Sequence, residues 1–103
     1  MKKVIHALND NLQVVYRKAI DADTALDALS ASGKGKFQTI FGDDTPFTSR
    51  SKRFSSYVEE VAGDVAHLQG ESVTEQTINQ ALPTIVKKLE LLLTTLEQFK
   101  KTL

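Results

Sequence analysis

Apolar residues recur along this chain in three stretches, each alternating three and four positions apart. The first is Ile5, Leu8, Leu12, Val15, Ala19, Ala22, Leu26 and Leu29. The second is Phe54, Val58, Val61, Val65 and Leu68, and the third is Leu82, Ile85, Leu89, Leu92, Leu96, Phe99 and Leu103. Such stripes predict amphipathic helices packed nearly antiparallel at a shallow crossing angle.

The boundaries follow from local signals. A first helix is expected from about Lys2 to Ala31, with Gly33 as its stop. Phe37, Ile40 and Phe41 sit at i, i+3 and i+4, which predicts a short helix near 36–41. Thr45-Pro46 reads as an N-cap followed by proline at the first helical position, so a second helix is expected over 46–69. Gly63 falls inside it, where close approach of another helix would explain a residue without a side chain. Ser72-Val73-Thr74-Glu75 matches a capping box and opens a third helix over 73–102. Pro83 removes one hydrogen bond there, predicting a kink or a split at that point. The fold class expected is therefore all-α: one domain over 1–103, an antiparallel bundle of three long helices plus the short one.

Composition narrows the chemistry. The 103 residues contain no cysteine, so disulfides, thiolate zinc sites and cysteine nucleophiles are excluded. The lack of cysteine suits a reducing, cytoplasmic location. The longest apolar runs are far too short for a transmembrane helix. At the start, Asn9, Asp10 and Asn11 interrupt what would be the apolar core of a signal peptide, so mature protein is expected. Thirteen basic and thirteen acidic residues cancel, against a dedicated duplex-DNA binder. The balance is uneven, however. Lys34, Lys36, Arg50, Lys52 and Arg53 face only Asp43 and Asp44 between residues 33 and 55. Residues 56–75 then hold Glu59, Glu60, Asp64, Glu71 and Glu75 without one Lys or Arg. Solvated faces are the ordinary explanation of such clusters.

No catalytic constellation emerges. His6 and His67 lie on different helices, without metal-ligand spacing. Glu59 and Glu60 are adjacent, so on a helix they point in different directions. Asp21, Asp23, Asp27 and Asp64 lack the Glu-x-x-His repeats of di-iron bundles. Gly33-Lys34-Gly35-Lys36 is too short for a phosphate loop. An enzyme is not expected, and neither a cofactor nor a metal is.

One cluster offers binding chemistry. Phe37, Phe41 and Phe47 accompany Lys34, Lys36, Arg50, Lys52 and Arg53 between the first two helices. An apolar pocket with a cationic rim would suit an acidic peptide ending in an aromatic residue. It would also suit single-stranded nucleic acid, through stacking and phosphate pairing. Alternatively, the phenylalanines plug one end of the bundle and the cations are solvated.

Lys36-Phe37, Ile40-Phe41, the run Phe54-Ser55-Ser56-Tyr57-Val58-Glu59-Glu60 and the Leu-rich last helix together resemble the N-terminal domain of the PriC family of primosomal replication proteins. The resemblance spans nearly the whole chain. It implies an all-helical, non-enzymatic accessory protein in restart of stalled replication forks. Its implied partners are single-stranded DNA-binding protein and the replicative helicase. Lys36, Phe37, Phe41, Arg53 and Phe54 are the positions that carry over. The basic half of longer family members has no counterpart among these residues, so direct DNA contact is not expected. The other function class is a structural or regulatory bundle that self-associates through surplus apolar positions Val4, Ile20, Val86 and Leu93. A monomer is expected ahead of a dimer.

Overall fold

The computed structural model describes residues 2–31, 40–70 and 72–102. It is all-helical, in the order α1 (Lys2–Ala31), α2 (Phe54–Leu68) and α3 (Glu75–Thr102). The 30 residues of α1 set the long dimension of the molecule, 49 Å. All three helices pack against one another. Asp23 meets the start of α2, and Leu12 and Gln13 share a groove with Val58 and Ala62 further along it, so α1 and α2 are antiparallel. Phe54 meets Phe99, and Asp64 meets Lys88, so α2 and α3 are antiparallel too.

The seams form the core. Leu8, Leu12, Val15, Ala19, Ala22 and Leu26 of α1 are buried against Phe54, Val58, Val61, Val65 and Leu68 of α2 and Ile85, Leu89, Leu92 and Leu96 of α3. Val15, Val61 and Leu92 lose all contact with solvent. Each such side chain contributes roughly 1.5–3 kcal/mol by leaving water.

Several boundaries depart from the local signals. The second helix begins at Phe54 rather than Pro46. Residues 46–53 form an irregular strap instead, because their backbone donors are claimed by side chains of α2. Thr48 and Ser49 donate to Glu60, and Ser51 donates to the Tyr57 hydroxyl. Thr45 closes a turn onto the Gly42 carbonyl instead of capping a helix. Of the expected short helix, residues 36–39 lie outside the described residues. Ile40 and Phe41 are in a bend, with the Ile40 N–H donating across the strap to Ser51 O at 2.9 Å.

At the other junction the cap is Thr74 rather than Ser72. Its hydroxyl accepts from Thr77 N–H at 3.2 Å, and α3 starts at Glu75. Pro83 lies within α3, which continues unbroken to Thr102, so the split does not occur. Packing of Ile78 and Ile85 on either side of the proline into the common core offsets the lost hydrogen bond. Gly63 is exposed, and a Cβ there would meet nothing within 4 Å, so no close helix approach accounts for it.

Candidate functional site

The joint between α1 and α2 holds the sequence-derived candidates, and the described part of it is built around Tyr57. This residue sits one position before the α2 seam residue Val58, so its ring faces the core at the top of the helix. It is fully buried. Its hydroxyl accepts from Ser51 N–H at 2.8 Å and Phe41 N–H at 3.2 Å. The single proton is best placed on Ser51 O at 3.0 Å, with Phe41 O at 3.3 Å. One phenol thus satisfies backbone groups of Ser51 in the strap and of Phe41 before it, groups whose burial without partners would be costly.

Phe41 and Phe47 complete an aromatic trio. Their rings stack at 4.7 Å, and each meets Tyr57 edge-on at 4.9 and 5.0 Å. Both phenylalanines are buried, at 5% and 2% exposure. They plug the end of the bundle, and no aromatic face of either is left open to a ligand.

A second fastening uses Glu60. Its carboxylate accepts from Thr48 N–H and Oγ1, from Ser49 N–H at 2.6 Å, and from Lys88 Nζ at 2.8 Å. Lys88 also donates to Asp64 at 2.6 Å and lies 5.9 Å from the Phe47 ring centre. Burial opposes ionisation of Glu60, but the hydrogen bonds from Lys88, Ser49 and Thr48 outweigh it and hold its pKa at about 2, against an ordinary 4.5. Burial likewise opposes the charge on Lys88, and Asp64 and Glu60 overcome it, so its pKa is raised. These perturbed groups are paired with one another, and the triad acts as a structural latch between α2, α3 and the strap.

The third fastening is Asp23. Its carboxylate, 1% exposed, accepts from Phe54 N–H at 2.6 Å and Ser55 N–H at 3.1 Å. Arg53, at the N-cap position, has no capping side-chain bond of its own. The guanidinium of Arg53 instead bridges Asp27 at 2.7 Å and Asp23 at 3.7 Å. Arg50 staples the strap, donating to Asp43 at 2.8 Å and to the carbonyls of Phe47 and Ser49.

The candidates therefore divide. Phe41 and Phe47 come together, but in the core. Arg50, Lys52 and Arg53 each reach the outside: Lys52 is exposed, and the Arg50 and Arg53 side chains, paired with Asp43 and with Asp27 and Asp23, keep 35% and 50% of their surface. Lys34, Lys36 and Phe37 lie outside the described residues. Asp23, Tyr57, Glu60 and Lys88 were not foreseen as the groups that build the joint. Among the described residues no group of three or more His, Cys, Asp or Glu side chains is placed to hold a metal. No helix among them is long and apolar enough to cross a membrane.

A further recess of about 260 Å³ opens between α1 and α3. Ala22, Leu96 and Phe99 line it, with Lys18, Lys100, Asp21 and Glu97 around its mouth. No protein-family model, no curated protein and no solved structure matches this chain.

Proposed function

We propose that this chain is a non-enzymatic adaptor of the PriC N-terminal-domain kind, binding a protein partner in replication restart. The first candidate is the acidic tail of single-stranded DNA-binding protein, and the second is the replicative helicase. One observation carries the reading. The joint is a fastened platform, in which Tyr57, Glu60 and Asp23 hold the strap and leave an outer edge of three basic residues: Lys52, exposed and without an ion pair among the described residues, between Arg50, paired with Asp43, and Arg53, paired with Asp27 and Asp23.

A fixed edge supports binding because little loop entropy is lost when a partner arrives. Lys52 suits an incoming carboxylate directly, and a run of carboxylates would compete with Asp43 and Asp27 for the guanidinium forks of Arg50 and Arg53. With Phe41 and Phe47 buried, the acidic part of the tail falls to the Arg50–Lys52–Arg53 edge. Lys34, Lys36 and Phe37, in the same segment between α1 and α2, remain the candidates for the aromatic end.

Fluorescence anisotropy with a labelled acidic tail peptide tests this. Binding at low ionic strength, weakened about threefold by Lys52→Glu and further by added salt, is the expected result. Arg50→Glu, checked for retained helicity, is expected to add to the loss. Absence of binding at low salt, or binding indifferent to both substitutions, overturns the proposal.

A further inference from the structure

Four large apolar side chains among the described residues are more than two-fifths exposed: Val14, Tyr16, Ile20 and Val86. Tyr16 borders the α1–α2 groove, where Leu12, Val58 and Ala62 form the floor and His6, Asn9, Asp10 and Gln13 the rest of the wall. Val14 is different. It lies nine residues from Asp23, which at 100° per residue puts it on the opposite side of α1 from the joint.

Helical spacing sets Ala7, Val14, Lys18 and Asp21 on one flank of α1, and Leu82, Val86, Leu93 and Glu97 on one flank of α3. Lys18 and Asp21 face Glu97 and Lys100 across the α1–α3 recess, so the two flanks are neighbours. Toward the start of α1 the same seam turns apolar. Val14 is 51% and Val86 42% exposed, and Leu82 and Leu93 are half-buried beside them.

We propose that this seam is a self-association surface, on which two copies pair α1 against α1 in antiparallel fashion about a two-fold axis level with Val14. Charge complementarity points to a second copy as the occupant. Asp10 lies four residues before Val14 and Arg17 three after it, on the same edge of the stripe. A two-fold perpendicular to α1 at that level sets Asp10 of each copy against Arg17 of the other. An isologous contact makes the pair twice. Both residues are exposed, and neither joins an ion pair among the described residues. Asp21, seven residues after Val14, falls opposite Ala7, whose small side chain leaves its carboxylate room at the rim. The sequence expectation of a monomer is set aside by this proposal, which is independent of the basic edge across the helix.

The test is sedimentation velocity on the full chain at low salt, from about ten micromolar to about one millimolar. The 11.4 kDa species is expected to give way to one of twice that mass. Asp10→Arg and Arg17→Asp are each expected to weaken association about tenfold, by turning two attractive pairs into two repulsive ones. The double variant Asp10→Arg/Arg17→Asp restores it, and an equimolar mixture of the two single variants associates more tightly than either alone. Circular dichroism checks that each variant is folded. A wild-type chain that stays monomeric at the highest concentration overturns the proposal. So does a double variant as weak as the singles, which would mean that the pairing is not the one described.

Discussion

The carboxylate of Asp23, deep on α1, caps the first turn of α2 by accepting from the N–H of Phe54, thirty-one residues away, at 2.6 Å. An N-cap is usually supplied by the residue just before the helix. Here that residue is Arg53, whose side chain turns back to Asp27 and Asp23. The start of α2 is thus fixed by tertiary structure, and Arg53 is fixed with it.

Replacing Asp23 should therefore cost more than an ordinary cap. Asp23→Ala leaves the buried Phe54 N–H without an acceptor and frees one partner of Arg53. A loss of about 2–4 kcal/mol is expected in urea unfolding. Asp23→Asn keeps one acceptor oxygen and should lose about half as much. A loss under about 1 kcal/mol for the alanine variant would contradict the assignment.

Acid should loosen the strap through Glu60. Its folded pKa, about 2, lies below the ordinary carboxylate value of 4.5. A depressed carboxylate contributes stability that is fully present above its unfolded pKa and is lost as pH falls toward the folded one. The window is thus about pH 4.5 down to about 2, and the amount is on the order of 3 kcal/mol. Lys88, with its pKa raised, behaves in the opposite sense: its share persists at neutral pH and is lost only on strong alkalinisation. Glu60→Gln should flatten the acid limb of the stability curve. A wild-type-like acid limb in that variant would rule the latch out.

Gly63 offers a gain. It is an exposed position inside α2 with open space where a Cβ would stand. Gly63→Ala should raise stability by about 0.5–1 kcal/mol, through helix propensity and a less flexible unfolded chain. Thermal unfolding that shows no gain would mean that the position makes a contact the monomer lacks.

The fold was legible because periodicity reports burial directly. The seam residues Leu8, Leu12, Val15, Val61, Val65, Leu92 and Leu96 are buried as their spacing requires. The joint was less legible, because its fastenings are polar and long in sequence range, and no period encodes them. Thr45-Pro46 is a sound local start signal, yet Thr48 and Ser49 give their N–H groups to Glu60, and the helix waits until Phe54. Some trace was present. Asp23 stands between Ala22 and Leu26 on the flank of the first seam, and Lys88 adjoins Leu89 on the third, so each is a charge at the edge of a buried stripe. A charge so placed needs a partner, but the sequence does not name it. The phenylalanines had two readings, pocket or plug, and the stacking of Phe41 on Phe47 over Tyr57 makes these two the plug.

The central claim is that the basic edge at the joint receives an acidic peptide. A ¹⁵N–¹H spectral titration of the full chain with the acidic tail peptide tests it most directly. The account predicts saturable shifts concentrated in the amides of Ser49 to Phe54, with those of the Ala7–Val14 flank unmoved. Shifts confined to that opposite flank, or no shifts at low salt, would contradict it.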